Sequence, residues 1–227
     1  MAFTRPLLYV SIGLLMVVSI IELAFISVMV SWLHRVASGT FPFEWQGRTY
    51  DILGKPANMI GDQGHTSNGA AGTAFIVIGC GGILALFLRN RHNAGKFSRF
   101  FYNFWLVVNV LNLLLTIAAL VYTFIVTTQH DGQSINPNLA ARIDGAEKYP
   151  LESWTPQNWF PALLDLNLVD SSQRSDIELQ LRIMRGWQYN LIPFVAIHLV
   201  ETALALWDAK QRRNELVPAY EPAKHYV

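Results

Sequence analysis

Apolar residues in this chain gather into four long runs, set apart by polar stretches bearing glycine and proline. The first, Leu7–Trp32, is twenty-six residues long and carries one ionisable side chain, Glu22, near its middle. The others are Gly69–Leu88, Phe100–Val126 and Trp187–Trp207. A bilayer core of about 30 Å is crossed by roughly 20 apolar residues rising ~1.5 Å each, so every run is long enough to span. A cleaved leader has an apolar stretch of about 7–15 residues, well short of Leu7–Trp32, so the first helix is expected to be retained. The pattern predicts an all-α fold: an integral membrane four-helix bundle over residues 1–213. Its spans are about 7–32, 69–88, 100–126 and 187–207, its outer loops 33–68 and 127–186, and its tail 214–227.

Basic residues orient these spans. Arg89, Arg91, Lys96 and Arg99 fill the second connector without an acid. Arg5 precedes the first span, and Lys210, Arg212 and Arg213 follow the fourth. Threading four helices in order puts all of them on one side, which the positive-inside tendency makes cytosolic. Both termini are therefore expected in the cytoplasm of a multi-pass protein of the plasma membrane or an endomembrane. Tyr102, Trp105, Trp187, Tyr189 and Trp207 stand at span ends, where amphipathic rings favour headgroup depth, and are expected at the lipid interface.

Both outer loops carry structural signals. Thr40–Tyr50 is expected to form a short hairpin turning at Gln46-Gly47. Trp159–Val169 is too short to span and too apolar for a free loop; it either lies on the bilayer or packs over the mouth of the bundle. Asp170-Ser171-Ser172 offers N-cap side chains, and Ile177, Leu181 and Met184 recur at helical spacing. One helix is predicted from about Ser172 to Lys210, with bends at Gly186 or Pro193 as alternatives.

Composition narrows the function classes. The chain is 52% hydrophobic and 15% charged, with a mean hydropathy of +0.28. That charged share lies well below the ~25% of soluble domains. A net charge of +1 argues against a nucleic-acid footprint. The single cysteine, Cys80, permits no internal disulfide and no Cys-rich metal site. No phosphate-loop, zinc-protease or nucleophile-elbow motif occurs, so neither catalytic residues, metal nor cofactor is expected.

The chemistry that remains lies within the spans. Glu22, His198 and Glu201 are ionisable at bilayer depth, where charge is costly and usually functional. From the span ends, Glu22 sits about 22 Å and His198 about 14 Å above the inner boundary, close enough in depth to meet. They would form either a proton or ion relay, or an interhelical hydrogen bond that fixes register. Asn109, Asn112 and Thr116 make a polar stripe on the third span, suited to bonding a neighbouring helix. Gly69, Thr73, Gly81 and Ala85 form a small-residue stripe on the second, suited to close packing within the chain or against another subunit. Arg99–Leu106 fits a pattern proposed for sterol contact, which extends the expected lipid partners to sterol.

Four spans, cytosolic termini and the short Arg89–Arg99 turn together resemble tetraspan proteins of the MARVEL and fungal Sur7-like kind. The likeness is one of topology; the first outer loop has no cysteine pair, and Trp45 lacks Gly-Leu neighbours. The resemblance implies membrane organisation or self-assembly without catalysis, with membrane lipids and a second copy or a membrane protein as partners. A small transporter or channel subunit using a Glu/His site is the alternative.

Overall fold

The computed structural model describes residues 4–91 and 95–216. In chain order they form α1 (Thr4–Arg35), β1 (Thr40–Trp45), β2 (Arg48–Leu53), α2 (Asp62–Thr73), a π-helical segment (Ala74–Cys80) and α3 (Gly81–Arg89). Then follow α4 (Lys96–Gln129), α5 (Pro137–Ile143), α6 (Pro156–Leu164), β3 (Asn167–Leu168) and α7 (Ser171–Leu216). The chain is mostly helical. Four helices are long and apolar enough to cross a membrane: α1, the continuous α2–π–α3 rod, α4 and α7.

These rods pack for a reason visible in their sequence. On α4 the buried positions are Ser98, Tyr102, Trp105, Asn109, Asn112, Thr116, Ala119, Thr123 and Val126, in alternating steps of four and three. Leu8, Ile12, Leu15, Ser19, Glu22, Ile26 and Met29 keep the same steps on α1, as do Leu181, Met184, Gln188, Leu191, Val195 and His198 on α7. A mean spacing of 3.5 residues keeps one seam facing its partner through a left-handed supercoil. The rods form a closed ring in which α1 meets α7, α7 meets α4, α4 meets α2–α3, and α2 returns to α1. Large apolar side chains such as Val10, Ile20, Phe104, Leu111, Ile192 and Leu199 point outward around it.

One end of the bundle carries a cap with its own aromatic core. β1 pairs antiparallel with β2, and Gln46 and Gly47 hold positive φ at the two-residue turn, as the sequence predicts. β3 adds to the other edge of β1, giving the order β2-β1-β3. Asn136 caps α5 by accepting from the Asn138 and Leu139 amides, and Pro156 starts α6 where its missing N–H costs nothing. Trp154 and Trp159 meet edge to face at 5.1 Å, and Trp32 meets Phe160 at 4.9 Å, joining cap to bundle. Trp159 Nε1 donates to the Gly54 carbonyl at 2.9 Å, and Trp32 Nε1 to Asp176 at 2.6 Å. Of the two placements open to Trp159–Val169, the structure takes the packed one, with Trp159 and Phe160 fully buried.

Two boundaries differ from the sequence expectation. The second crossing starts at Asp62, inside the loop assigned to 33–68, because polar Asp62–Asn68 is still helical. The fourth helix begins at Ser171, one residue from the predicted start, and runs past Gly186 and Pro193 as one element. It also continues to Leu216, so the 214–227 tail begins as helix, and residues 217–227 lie outside the described residues.

Candidate functional site

Two sites stand out, a polar seam inside the bundle and a groove beneath the cap. The seam lies between α4 and α7, where the heptad steps bring Asn109, Thr116, His198, Glu201 and Thr202 to one stripe of each helix. All five are almost wholly excluded from the surface. Asn109 is the hub. Its Nδ2 donates to both carboxyl oxygens of Glu201, at 3.0 and 2.8 Å. Its Oδ1 accepts from the Thr202 hydroxyl at 3.0 Å and faces His198 Nε2 at 3.1 Å. His198 Nδ1 lies 3.1 Å from the Thr116 hydroxyl, which also reaches the Asn112 carbonyl at 2.8 Å. Asn112 turns to the second rod, donating to the Ala70 carbonyl at 3.3 Å.

Counting donors and acceptors ties the proton positions together. With the Asn109 amino group on Glu201, the acid is a carboxylate and Asn109 Oδ1 needs a proton on His198 Nε2. Charge neutrality in this dry site then also places a proton on Nδ1, which donates to Thr116. Turning the Asn109 amide over reverses the pattern. Glu201 becomes a carboxylic acid donating to Oδ1, the amino group serves His198 Nε2 and Thr202, and His198 keeps only its Nδ1 proton. Both arrangements are neutral overall. The two arrangements differ in where one proton rests, on His198 Nε2 or on Glu201, and the turn of the Asn109 amide matches each.

Glu22 takes no part in it. Its Oε2 accepts from Asn190 Nδ2 at 2.8 Å, and Asn190 also bonds the Val18 carbonyl. Asn190 and His198 are eight residues apart on α7, about 12 Å along the axis. The expected Glu22–His198 meeting does not occur, because similar depth places two groups on one level but not on one face. Among the described residues the second oxygen of Glu22 has no hydrogen-bond partner, nor has the indole N–H of Trp187 that points toward the same carboxyl.

Trp187 also lines the groove, a cavity of about 670 Å³ between α1, α2 and the cap. Its walls are Ile26, Met29, Val30 and Leu33 of α1, and its rim holds His34, Lys55 and His65. Gln63, nearly fully buried, contributes a side-chain oxygen with no partner among the described residues. An apolar trough with a cationic, hydrogen-bonding mouth suits an amphiphile.

Other expected positions land differently. Tyr102, Trp105 and Trp187 are buried rather than at the lipid interface, Tyr102 and Trp105 on the α4 seam and Trp187 in the aromatic core shared with the cap; Tyr189 and Trp207 do face outward. Tyr102 donates to Asp208 at 2.7 Å, which removes the aromatic of the sterol pattern from any lipid. On the second rod Gly69 meets nothing nearby, Thr73 and Gly81 are half-buried, and only Ala85 of that stripe is in the core. The close approaches are instead Gly79 against Met16 and Gly82 against Trp105. Each i→i+5 turn of the π segment takes in an extra residue, so Gly81 and Ala85 are rotated relative to Gly69 and Thr73, which precede it. Arg91 lies over the Phe87 ring at 5.1 Å, and Lys96 and Arg99 are exposed. Thr202, Asn190 and Asp208 add further polar contacts between the helices; for Thr202 the signal was its place one turn after His198.

No group of three or more His, Cys, Asp or Glu side chains converges to hold a metal among the described residues. No protein-family model, curated protein or solved structure matches this chain.

Proposed function

We propose that this chain is a non-enzymatic tetraspan protein that organises membrane lipid, with the α1–α2 groove as its lipid seat and the cap as its contact surface for a second copy or a membrane partner. In this reading the termini and the Arg89–Arg99 turn face the cytosol, which the basic residues favour. The cap then lies on the outer face, and the likeness to MARVEL and Sur7-like tetraspans is one of function as well as layout. The groove is the observation that carries the reading. Its apolar wall is built from the end of α1 next to the cap, which in this reading is the level of the outer leaflet. Lys55, His34 and His65 stand where an anionic headgroup would rest, with the unpaired Gln63 oxygen below them.

The test is photocrosslinking to a phospholipid carrying a diazirine on its acyl chain, in reconstituted vesicles. Labelling is expected to concentrate on groove peptides such as Ile26–Leu33. Gly64 lines the groove, and a Cβ placed there would find only the Met29 methyl within 4 Å. Gly64→Leu is therefore expected to fold normally and lose that labelling. Labelling spread evenly around the girdle, unchanged by Gly64→Leu, would overturn the reading.

A second reading, proton handling, is favoured by the Asn109 bridge between His198 and Glu201. It predicts a pH-dependent flux in vesicles that Glu201→Gln and His198→Ala abolish. Equal flux in the variants and the native chain would remove it.

A further inference from the structure

At the end of the bundle opposite the cap, α3, α4 and α7 enclose a cleft of about 440 Å³. Five cationic side chains line it: Arg89, Arg99, Lys210, Arg212 and Arg213. Arg212 is committed inward. Its Nε bonds the buried Asp208 carboxylate at 2.5 Å, its Nη2 reaches Asn90 at 2.8 Å, and its guanidinium lies 5.4 Å over Tyr102. That pin fixes the back wall and uses up Asp208, which also accepts from the Tyr102 hydroxyl. Arg89, Arg99, Lys210 and Arg213 have no ion-pair partner among the described residues. Four like charges brought together from three helices repel one another, and an anion between them relieves that repulsion.

We propose that this cleft binds a phosphomonoester-bearing headgroup, with Arg89 and Arg99 on one side of the phosphates and Lys210 and Arg213 on the other. The volume equals about fifteen waters at ~30 Å³ each, too large for one phosphate alone and suited to a phosphorylated polyol. Guanidinium groups favour phosphate through paired, planar N–H donation, whereas a singly charged carboxylate headgroup leaves most of the four cations unanswered. The source is a phosphoinositide of the adjoining leaflet or its free headgroup. Only the lipid arm rests on the membrane-spanning reading.

The test uses the full chain in neutral detergent micelles and in phosphatidylcholine nanodiscs. Soluble inositol trisphosphate is titrated into the micelles, and retention of phosphatidylinositol bisphosphate is compared in nanodiscs with phosphatidylserine at matched surface charge. Arg99→Gln and Lys210→Gln are exposed and outside the Asp208 pin, so each is expected to fold and to weaken binding about fivefold. Lys210→Arg is expected to keep it. Tighter binding of the bisphosphate lipid than of the free headgroup assigns the site to the leaflet, and equal binding assigns it to a soluble phosphate. Phosphatidylserine retained as well as the bisphosphate, or variants that bind as the native chain does, would overturn the proposal.

Discussion

At the scale of single residues, the decisive feature is that buried polar groups on α4 and α7 answer one another. Asn109→Ala removes the amide that donates to both Glu201 oxygens and strips His198 and Thr202 of their shared acceptor. Leaving such groups buried and unpaired is expected to cost upward of about 2 kcal/mol in a detergent unfolding titration. Glu201→Gln is expected to cost much less, because an amide can take either role toward Asn109 once that side chain turns. The stripe of Asn109, Asn112 and Thr116 and the pair His198 and Glu201 were legible in the sequence as polar positions on apolar helices. Their pairing was not, since linear depth carries no information about rotation, and Glu22 went to Asn190 instead. Outside the bundle, Asp170 caps α7: the Ser172 hydroxyl and amide hold its carboxyl below the ordinary value of 3.8. A group depressed in the folded state contributes stability above its unfolded value and loses it as pH falls through the folded one. Protection of the Ser171–Ser175 amides against exchange, relative to the unfolded chain, is therefore expected to fall below pH 3.8, and Asp170→Asn to flatten that acid limb.

At the scale of elements, the glycines of the second rod separate into those that pack and those that do not. A Cβ on Gly82 would lie 2.8 Å from the Trp105 ring, which is itself held by its hydrogen bond to the Ile78 carbonyl. Gly82→Ala is expected to destabilise by about 1–3 kcal/mol, as overpacking does. Gly69→Ala meets open space and is expected to stabilise by roughly 0.5–1 kcal/mol, the usual gain of alanine over glycine in a helix. Thermal unfolding of the two variants side by side reads both signs. Sequence spacing pointed to Gly69, Thr73, Gly81 and Ala85 as one four-residue stripe; no residue in Ala74–Cys80 announces the π segment that rotates its second half relative to its first. The turn at Gln46-Gly47 was legible for the opposite reason, being set by two adjacent residues whose φ must be positive. Gly54 is the cap's tightest point, where a Cβ would lie 2.7 Å from the Ala37 carbonyl. Gly54→Ala is expected to loosen the seat of Trp159 on the Gly54 carbonyl, read as increased exchange of the Trp159 indole proton.

At the scale of the whole molecule, four apolar rods and their order follow from the run lengths, and that much stood in the sequence. How the cap closes did not. Its contacts join residues far apart along the chain, such as Gly54 with Trp159 and Glu44 with Asn167, and local patterns do not encode such pairs. The groove exists only because the cap and two helices meet, so it too was hidden. The account depends on those rods crossing a bilayer with the cap outside and the arginine-rich turn inside. Cysteine labelling tests it most directly: in a Cys80→Ser background, Arg91→Cys and Lys148→Cys are each treated in intact cells with a membrane-impermeant maleimide. The account predicts that Lys148→Cys reacts at once and Arg91→Cys only after permeabilisation; Arg91→Cys reacting in intact cells would contradict it.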